Sequence, residues 1–139
     1  MLNLSNVFSE IDATVSVTFT KLDDAKEVSA GLAFWATDYS SYYAFAVDID
    51  GRYSVARFAE NRWLTVIDWK LHDAIKKGLG QTNDLRVITN GHTATLFVNG
   101  VQITTFKGQH PQGGGAIGLM ADSYSKQPAR FEFARLRVM

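Results

Sequence analysis

The stretch ITNGHTATLFVNGVQITTF, residues 88–106, decides the fold class. Asn90-Gly91 and Asn99-Gly100 interrupt otherwise alternating apolar and polar residues. Asn-Gly between alternating strands is a strong hairpin signal, because a type I′ turn needs positive φ at both central residues and these two types tolerate it. The spacing therefore predicts three short antiparallel strands. Across the middle one, Ala94, Leu96 and Val98 share one face while Thr93, Thr95 and Phe97 share the other, as in a sheet with one better buried side.

The same rhythm extends in both directions. Residues 11–20 alternate Ile11, Ala13, Val15, Val17 and Phe19 with polar residues, which predicts a half-buried strand. GLAFWAT (31–37) and YYAFAVDI (42–49) follow, the second with Tyr43, Phe45, Val47 and Ile49 as its apolar set, and Asp50-Gly51 makes another tight turn. RYSVARFA (52–59) turns at Glu60-Asn61 into RWLTVIDW (62–69), where strict alternation puts Trp63, Thr65, Ile67 and Trp69 on one face. KLHDAIKKGLG (70–80) has helical spacing but is short and ends in glycines, so it supports one turn of helix in a long loop. KGQHPQGGG (107–115) reads as a loop and AIGLMAD (116–122) as a strand. In the closing ARFEFARLRVM the apolar phase changes, which predicts a β-bulge near Ala134-Arg135. About nine or ten short strands without a sustained helix argue for an antiparallel sandwich or barrel.

At 139 residues the chain is expected to be one domain, 1–139, burying roughly two thirds of its unfolded surface. With 14 Lys+Arg against 14 Asp+Glu and no block of like charge, it lacks the electrostatic footprint of a nucleic-acid or anionic-membrane binder. Having no Cys, it makes no disulfide, thiolate metal site or Cys nucleophile. No apolar run approaches the roughly 18 residues of a membrane span, so direct membrane insertion is not expected.

The order of signals resembles the concanavalin A-like lectin/glucanase superfamily. It runs from Phe8 and an alternating strand through GLAFWA, YYAFAVDIDGRYSVAR, RWLTVIDW, NDLRVITNGHTATLFVNG and GGGAIGLMA to FEFARLRV. More narrowly it resembles the bacterial branch of 3-keto-disaccharide hydrolase or glycoside hydrolase family 16-like domains. The likeness covers about residues 8–138, and its most specific part is 83–100. It implies a jelly roll of two antiparallel sheets, one concave, holding sugars or other small polar ligands on the concave face or its rim loops. It also implies an accessory module joined to other domains of a larger bacterial protein, extracytoplasmic or at the cell surface. Three departures stand out: the strand before Phe8 reads as short or absent, which hints at upstream sequence removed; Trp35 stands where relatives often have Arg; and the Glu-x-Asp-x-Glu strand of family 16 glucanases is missing.

Glycosidases need two carboxyl groups flanking the bond. Asp48 and Asp50 are spaced to share a face, but Asp50 sits in the turn, where a carboxylate normally bonds its own backbone, and Glu132 stands alone in the last strand. Asp48 and Glu132 are thus the weak catalytic candidates, no pair being assembled by any motif, and binding without cleavage is expected. His72, His92 and His110 fall in separate loops without metal-ligand spacing and read as surface polar residues. Calcium on rim carboxylates such as Asp38 or Asp122 is within superfamily chemistry, but no ligand cluster appears in sequence, so no cofactor is expected.

The aromatics carry the remaining signal. Trp35 is out of phase with Leu32 and Phe34, and Tyr42 with Tyr43 and Phe45, so both are expected to face away from the core. An exposed aromatic suits a sugar ring, whose C–H face stacks on it. The expected ligand face therefore holds Trp35, Tyr42, Asp48, Arg57 and one of Trp63 or Trp69, with at least one of those two indoles filling the core instead.

Overall fold

Backbone pairing sorts the alternating segments into two antiparallel sheets. The computed structural model describes residues 2–22, 28–123 and 129–138, with side chains for 7–20 and 29–120. Eleven strands are present: β1 (Leu2–Phe8), β2 (Asp12–Leu22), β3 (Val28–Asp38), β4 (Ser41–Asp48), β5 (Arg52–Ala59), β6 (Arg62–Leu71), β7 (Thr82–Asn90), β8 (Thr93–Val98), β9 (Val101–Lys107), β10 (Gly115–Ser123) and β11 (Ala129–Val138). One sheet has the order β1-β10-β3-β4-β5-β6 and the other β11-β2-β7-β8-β9. No helix forms among the described residues. This is the all-β, concanavalin A-like jelly-roll sandwich that the alternation predicted.

The core lies between the sheets. Val15, Val17 and Phe19 of β2, Leu85 and Val87 of β7, and Leu96 and Val98 of β8 meet Leu32, Phe34, Phe45, Val47 and Val55 of the facing sheet. All of these are essentially inaccessible, and each such side chain contributes about 1.5–3 kcal/mol of burial. β8 follows the predicted split, with Ala94, Leu96 and Val98 inward. Phe8 starts from a β1 that pairs with β10, so a strand does precede that position.

The tight turns differ in kind. Asn99 and Gly100 both have positive φ (52° and 81°), and Val98 pairs with Val101 across them, as a type I′ turn requires. At the preceding turn Asn90 pairs with Thr93, so the central residues are Gly91 and His92, and only Gly91 has positive φ (58°). That pattern belongs to a II′ turn. Glu60 and Asn61 (54° and 60°) form a second two-residue turn of the I′ kind. The closing strand carries the predicted bulge, since Phe133 and Leu136 pair with Val17 and Val15, leaving one extra residue on β11.

Residues 72–81 close one end of the sandwich. Only a single turn forms there, with Ile75 N–H donating to the His72 carbonyl at 3.1 Å, while Ile75 itself is buried as a plug. The opposite end is covered by the loop between β9 and β10, where Gly108 N–H donates to the His92 carbonyl at 2.8 Å.

Candidate functional site

Bulges decide which side chains reach which face. Between Phe34 and Asp38, β3 carries two more residues than β4 does between Tyr43 and Ser41, and Trp35 takes φ = +50° within that irregularity. The extra residues break the period of two, so Phe34 and Trp35 both point inward, with ring centroids 5.3 Å apart. Trp35 is 5% exposed and belongs to the core cluster. The expectation that it faces away from the core, which assumed unbroken alternation, is thereby corrected. Arg57 is also displaced from the expected face: it follows Tyr53 and Val55 on the inward phase of β5, and its guanidinium lies 5.4 Å from the Tyr43 ring centroid. Trp35 and Arg57 instead share the wall of a cleft of about 180 Å³ at the end of the sandwich.

Irregularity in β6 has the reverse effect on the other two tryptophans. Phe58 pairs with Trp63 and Ala56 with Thr65, but Val55 pairs with Ile67 and Tyr53 with Lys70, so the strand shifts phase twice. Ile67 packs against the core, whereas Trp63 and Trp69 are 46% and 38% exposed. Neither indole fills the core, and the four residues that strict alternation placed together are separated.

The outer face of the six-stranded sheet thus acquires two aromatic ends. At one, Tyr42, Phe58 and Trp63 form a cross-strand ladder over β4, β5 and β6, with centroid separations of 5.6 Å (Tyr42 to Phe58) and 5.1 Å (Phe58 to Trp63). Tyr42 therefore does face away from the core. At the other end, the Arg52 guanidinium lies 5.7 Å from the Trp69 ring centroid and its Nε–H donates to Asp48 Oδ2 at 2.7 Å. Tyr42 and Asp48 are six residues apart on one strand, a span of about 20 Å. Small residues line the face between them: Gly31 and Ala33 on β3, Ala44 and Ala46 on β4, Ser54 and Ala56 on β5.

The outer face of the five-stranded sheet is different in kind. Its exposed positions are threonines and charged residues bonded to one another, as in Thr18 to Thr82 (2.8 Å) and the two-pronged Arg86 to Asp12 pair. That surface satisfies itself. The aromatic face does not.

The carboxylate candidates do not come together. Asp48 is 4% exposed and accepts from Asp50 N–H (3.0 Å), Arg52 N–H (2.9 Å) and Arg52 Nε–H. It is Asp48 and not Asp50 that ties the turn, and with both oxygens taken it holds Arg52 in place instead of presenting an acid to a ligand. Glu132 pairs in register with Thr18 on the five-stranded sheet, the other sheet from Asp48, and its side chain lies outside the described residues. Asp38 accepts from Ser40 N–H (2.7 Å) and Oγ–H (2.6 Å), bonds that hold its carboxyl below the usual carboxylate range. Asp122 pairs with Ser29, and its side chain is also outside the described set. Among the described residues no group of three metal-ligating side chains forms.

Two histidines that sequence separates are neighbours in space. His110 N–H donates to His92 Nδ1 at 3.3 Å, the rings lie 6.1 Å apart, and His110 Nε2 donates to the Ser9 carbonyl at 2.5 Å. Glu10 completes this end by accepting from Gly91 N–H and Thr89 Oγ1–H, both at 2.9 Å. Chiefly through the Gly91 bond, its carboxyl is held below its ordinary 4.5. A lowered folded-state value means stabilisation that is whole above the unfolded value and lost as the pH falls through the folded one. The Glu10→Gln variant is accordingly expected to melt below the wild type at neutral pH, with the two melting temperatures converging below pH 4.5, as thermal unfolding across a pH series measures.

No protein-family model matches the chain. No curated protein matches it in sequence. Solved structures do match its fold. It superimposes on sheep galectin-11 in complex with glycerol at TM-score 0.72 and 13% identity, covering 100% of this chain and 96% of that one. The carbohydrate binding module CBM66 from Bacillus subtilis matches at TM-score 0.73 and 13% identity, over 96% and 77%. Galectin-Ib from Xenopus laevis matches at TM-score 0.72 and 15% identity, over 100% and 98%. The chain shares their concanavalin A-like jelly roll, and at such identities the likeness speaks to fold alone.

Proposed function

We propose that the outer face of the six-stranded sheet binds carbohydrate without cleaving it. The observation that carries this reading is the pair of exposed indoles on β6, Trp63 and Trp69, each tied to a second polar or aromatic group, at the two ends of a face lined with small residues. Bare aromatic faces gain little in water and much under the C–H face of a sugar ring, while the Arg52 guanidinium, Tyr42 hydroxyl and Ser54 hydroxyl suit ring hydroxyls. The kinship of fold with galectins and a carbohydrate binding module supports the same ligand class.

A glycan array followed by calorimetry tests the proposal. Trp63→Ala is expected to weaken the best array ligand at least tenfold, about 1.4 kcal/mol, with thermal stability nearly unchanged because the indole is half exposed. A blank array, or binding that survives both Trp63→Ala and Trp69→Ala, overturns it.

The narrower resemblance to 3-keto-disaccharide hydrolase and family 16-like domains carries a competing hydrolase reading. It requires a carboxyl pair across the bond, and Asp48 is already bonded three times while Glu132 belongs to the other sheet. Turnover in a glycan hydrolysis screen, lost in Asp48→Asn or Glu132→Gln, would restore that reading. On the resemblance alone we place the protein as an accessory module of a larger bacterial protein, outside the cytoplasm or at the cell surface, which fractionation with an antibody to the chain would check.

A further inference from the structure

The cleft at the β3–β4 end of the sandwich faces neither the aromatic ladder nor the Asp48–Arg52 turn, and its chemistry is of another sort. Arg57 is its one permanent charge. Among the described residues no carboxylate pairs with that guanidinium, whose recorded contact is the Tyr43 ring. The wall holds no Asp or Glu. It does hold donors. The Tyr43 hydroxyl accepts from Gln109 N–H at 2.8 Å, which leaves its own proton to give, and Ser41 and Thr37 add two more hydroxyls. A cation without a counter-ion, set on an aromatic floor and ringed by O–H groups, favours an anion with oxygen acceptors. A planar carboxylate matches the guanidinium fork two bonds at a time.

Two further features belong to the same place. The Trp35 indole N–H is buried with no acceptor, the one such side-chain atom among the described residues, although buried donors are almost always paired. It is closed to solvent, so a ligand oxygen reaches it only as the ring moves. Trp35 is also held at φ = +50°, a conformation that is strained for a large side chain and that accumulates near binding sites. Tight packing fixes the ring, since a Cβ on Gly108 would lie 2.6 Å from Trp35 Cζ3.

We propose that this cleft is a second binding site, distinct from the outer face, for a small carboxylate-bearing ligand, with Arg57 taking the carboxylate and Tyr43 its hydrogen bond. The cleft of about 180 Å³ has the space of about six waters, which limits the occupant to the size of one sugar acid. A short carboxylate or a terminal uronate fits. A neutral monosaccharide of the same size leaves the guanidinium unpaired and is disfavoured.

Titration of ¹⁵N-labelled protein with sodium D-glucuronate, against D-glucose and against sodium chloride at matched ionic strength, tests this. Glucuronate is expected to shift the Trp35 indole N–H and Arg57 Nε–H resonances saturably, and neither glucose nor chloride to do so. Arg57→Gln and, independently, Gln109→Glu, which sets a carboxylate in the exposed wall, are each expected to raise the dissociation constant at least tenfold. Trp63→Ala should leave it unchanged. An absent or unsaturable shift, an equal shift with glucose or chloride, undiminished affinity in both Arg57→Gln and Gln109→Glu, or loss of the response in Trp63→Ala overturns the proposal.

Discussion

Replacing Asn83 by alanine is expected to cost about 2–4 kcal/mol, far more than a polar residue at the start of a strand would ordinarily suggest. Asn83 is 1% exposed. Its Oδ1 accepts from Lys76 N–H at 2.9 Å and its Nδ2 donates to the Lys76 carbonyl at 3.1 Å, so one side chain satisfies both backbone groups of a loop residue. The same Oδ1 accepts from Asn99 Nδ2 at 2.9 Å, and that amide also donates to the Ala74 carbonyl at 2.8 Å. Asn99 Oδ1 in turn accepts from Asp84 N–H at 2.9 Å. Truncating Asn83 strands polar groups at the covered end of the sandwich and releases the segment that carries the Ile75 plug. Urea denaturation should show the loss in the midpoint, and the Asn83→Ala, Asn99→Gly double mutant should lose less than the sum of the single variants, because the two side chains share a bond. A cost under about 1 kcal/mol for Asn83→Ala would mean that water replaces the network.

That network gives Asn99 a second use. From sequence, Asn99-Gly100 is legible as a turn because positive φ is a local demand that a dipeptide can meet. The reach of the Asn99 side chain to residues 74 and 83 is not local, and alternation offers no sign of it. The same division holds for the face. Alternation placed Tyr42, Phe45 and Leu96 correctly, since β4 pairs with both neighbours without a bulge over those positions and β8 is regular there. It misplaced Trp35, Trp63 and Trp69 together because bulges in β3 and β6 change the phase of whatever follows, and an interior bulge leaves no mark when the residues beside it are all apolar. On β11 the bulge was legible because Phe131 and Phe133 give way to Leu136 and Val138 across charged residues. Phe58 was within reach of the argument that selected Tyr42, being out of phase with Tyr53 and Val55. The wall of the end cleft was not, because Gln109 comes from a loop whose composition reads only as a connection.

Gly31 is expected to tolerate no side chain at all, and its substitution joins stability to the proposed binding. It lies on β3 opposite Ala46, in the small-residue stretch between the two aromatic ends of the outer face. A Cβ built there would sit 1.9 Å from the Phe45 carbonyl oxygen and 2.9 Å from Ala46 Cα. Both are backbone atoms of the neighbouring strand, so no rotamer change relieves the contact. β3 and β4 would have to part. They form the centre of their sheet, with Leu32 and Phe34 on one strand and Phe45 and Val47 on the other anchoring the core, so the cost is shared by hydrogen bonding and packing and is expected to exceed about 3 kcal/mol for Gly31→Ala. Ala33→Gly, two residues along the same face, is the control: it removes a methyl group without adding a contact and should cost about 1 kcal/mol. Thermal denaturation of the two variants separates the explanations. Gly31→Ala near wild-type stability would show that β3 shifts freely against β4; a large loss there with a small one for Ala33→Gly would show that close backbone approach fixes the floor on which the Tyr42, Phe58 and Trp63 ladder is aligned.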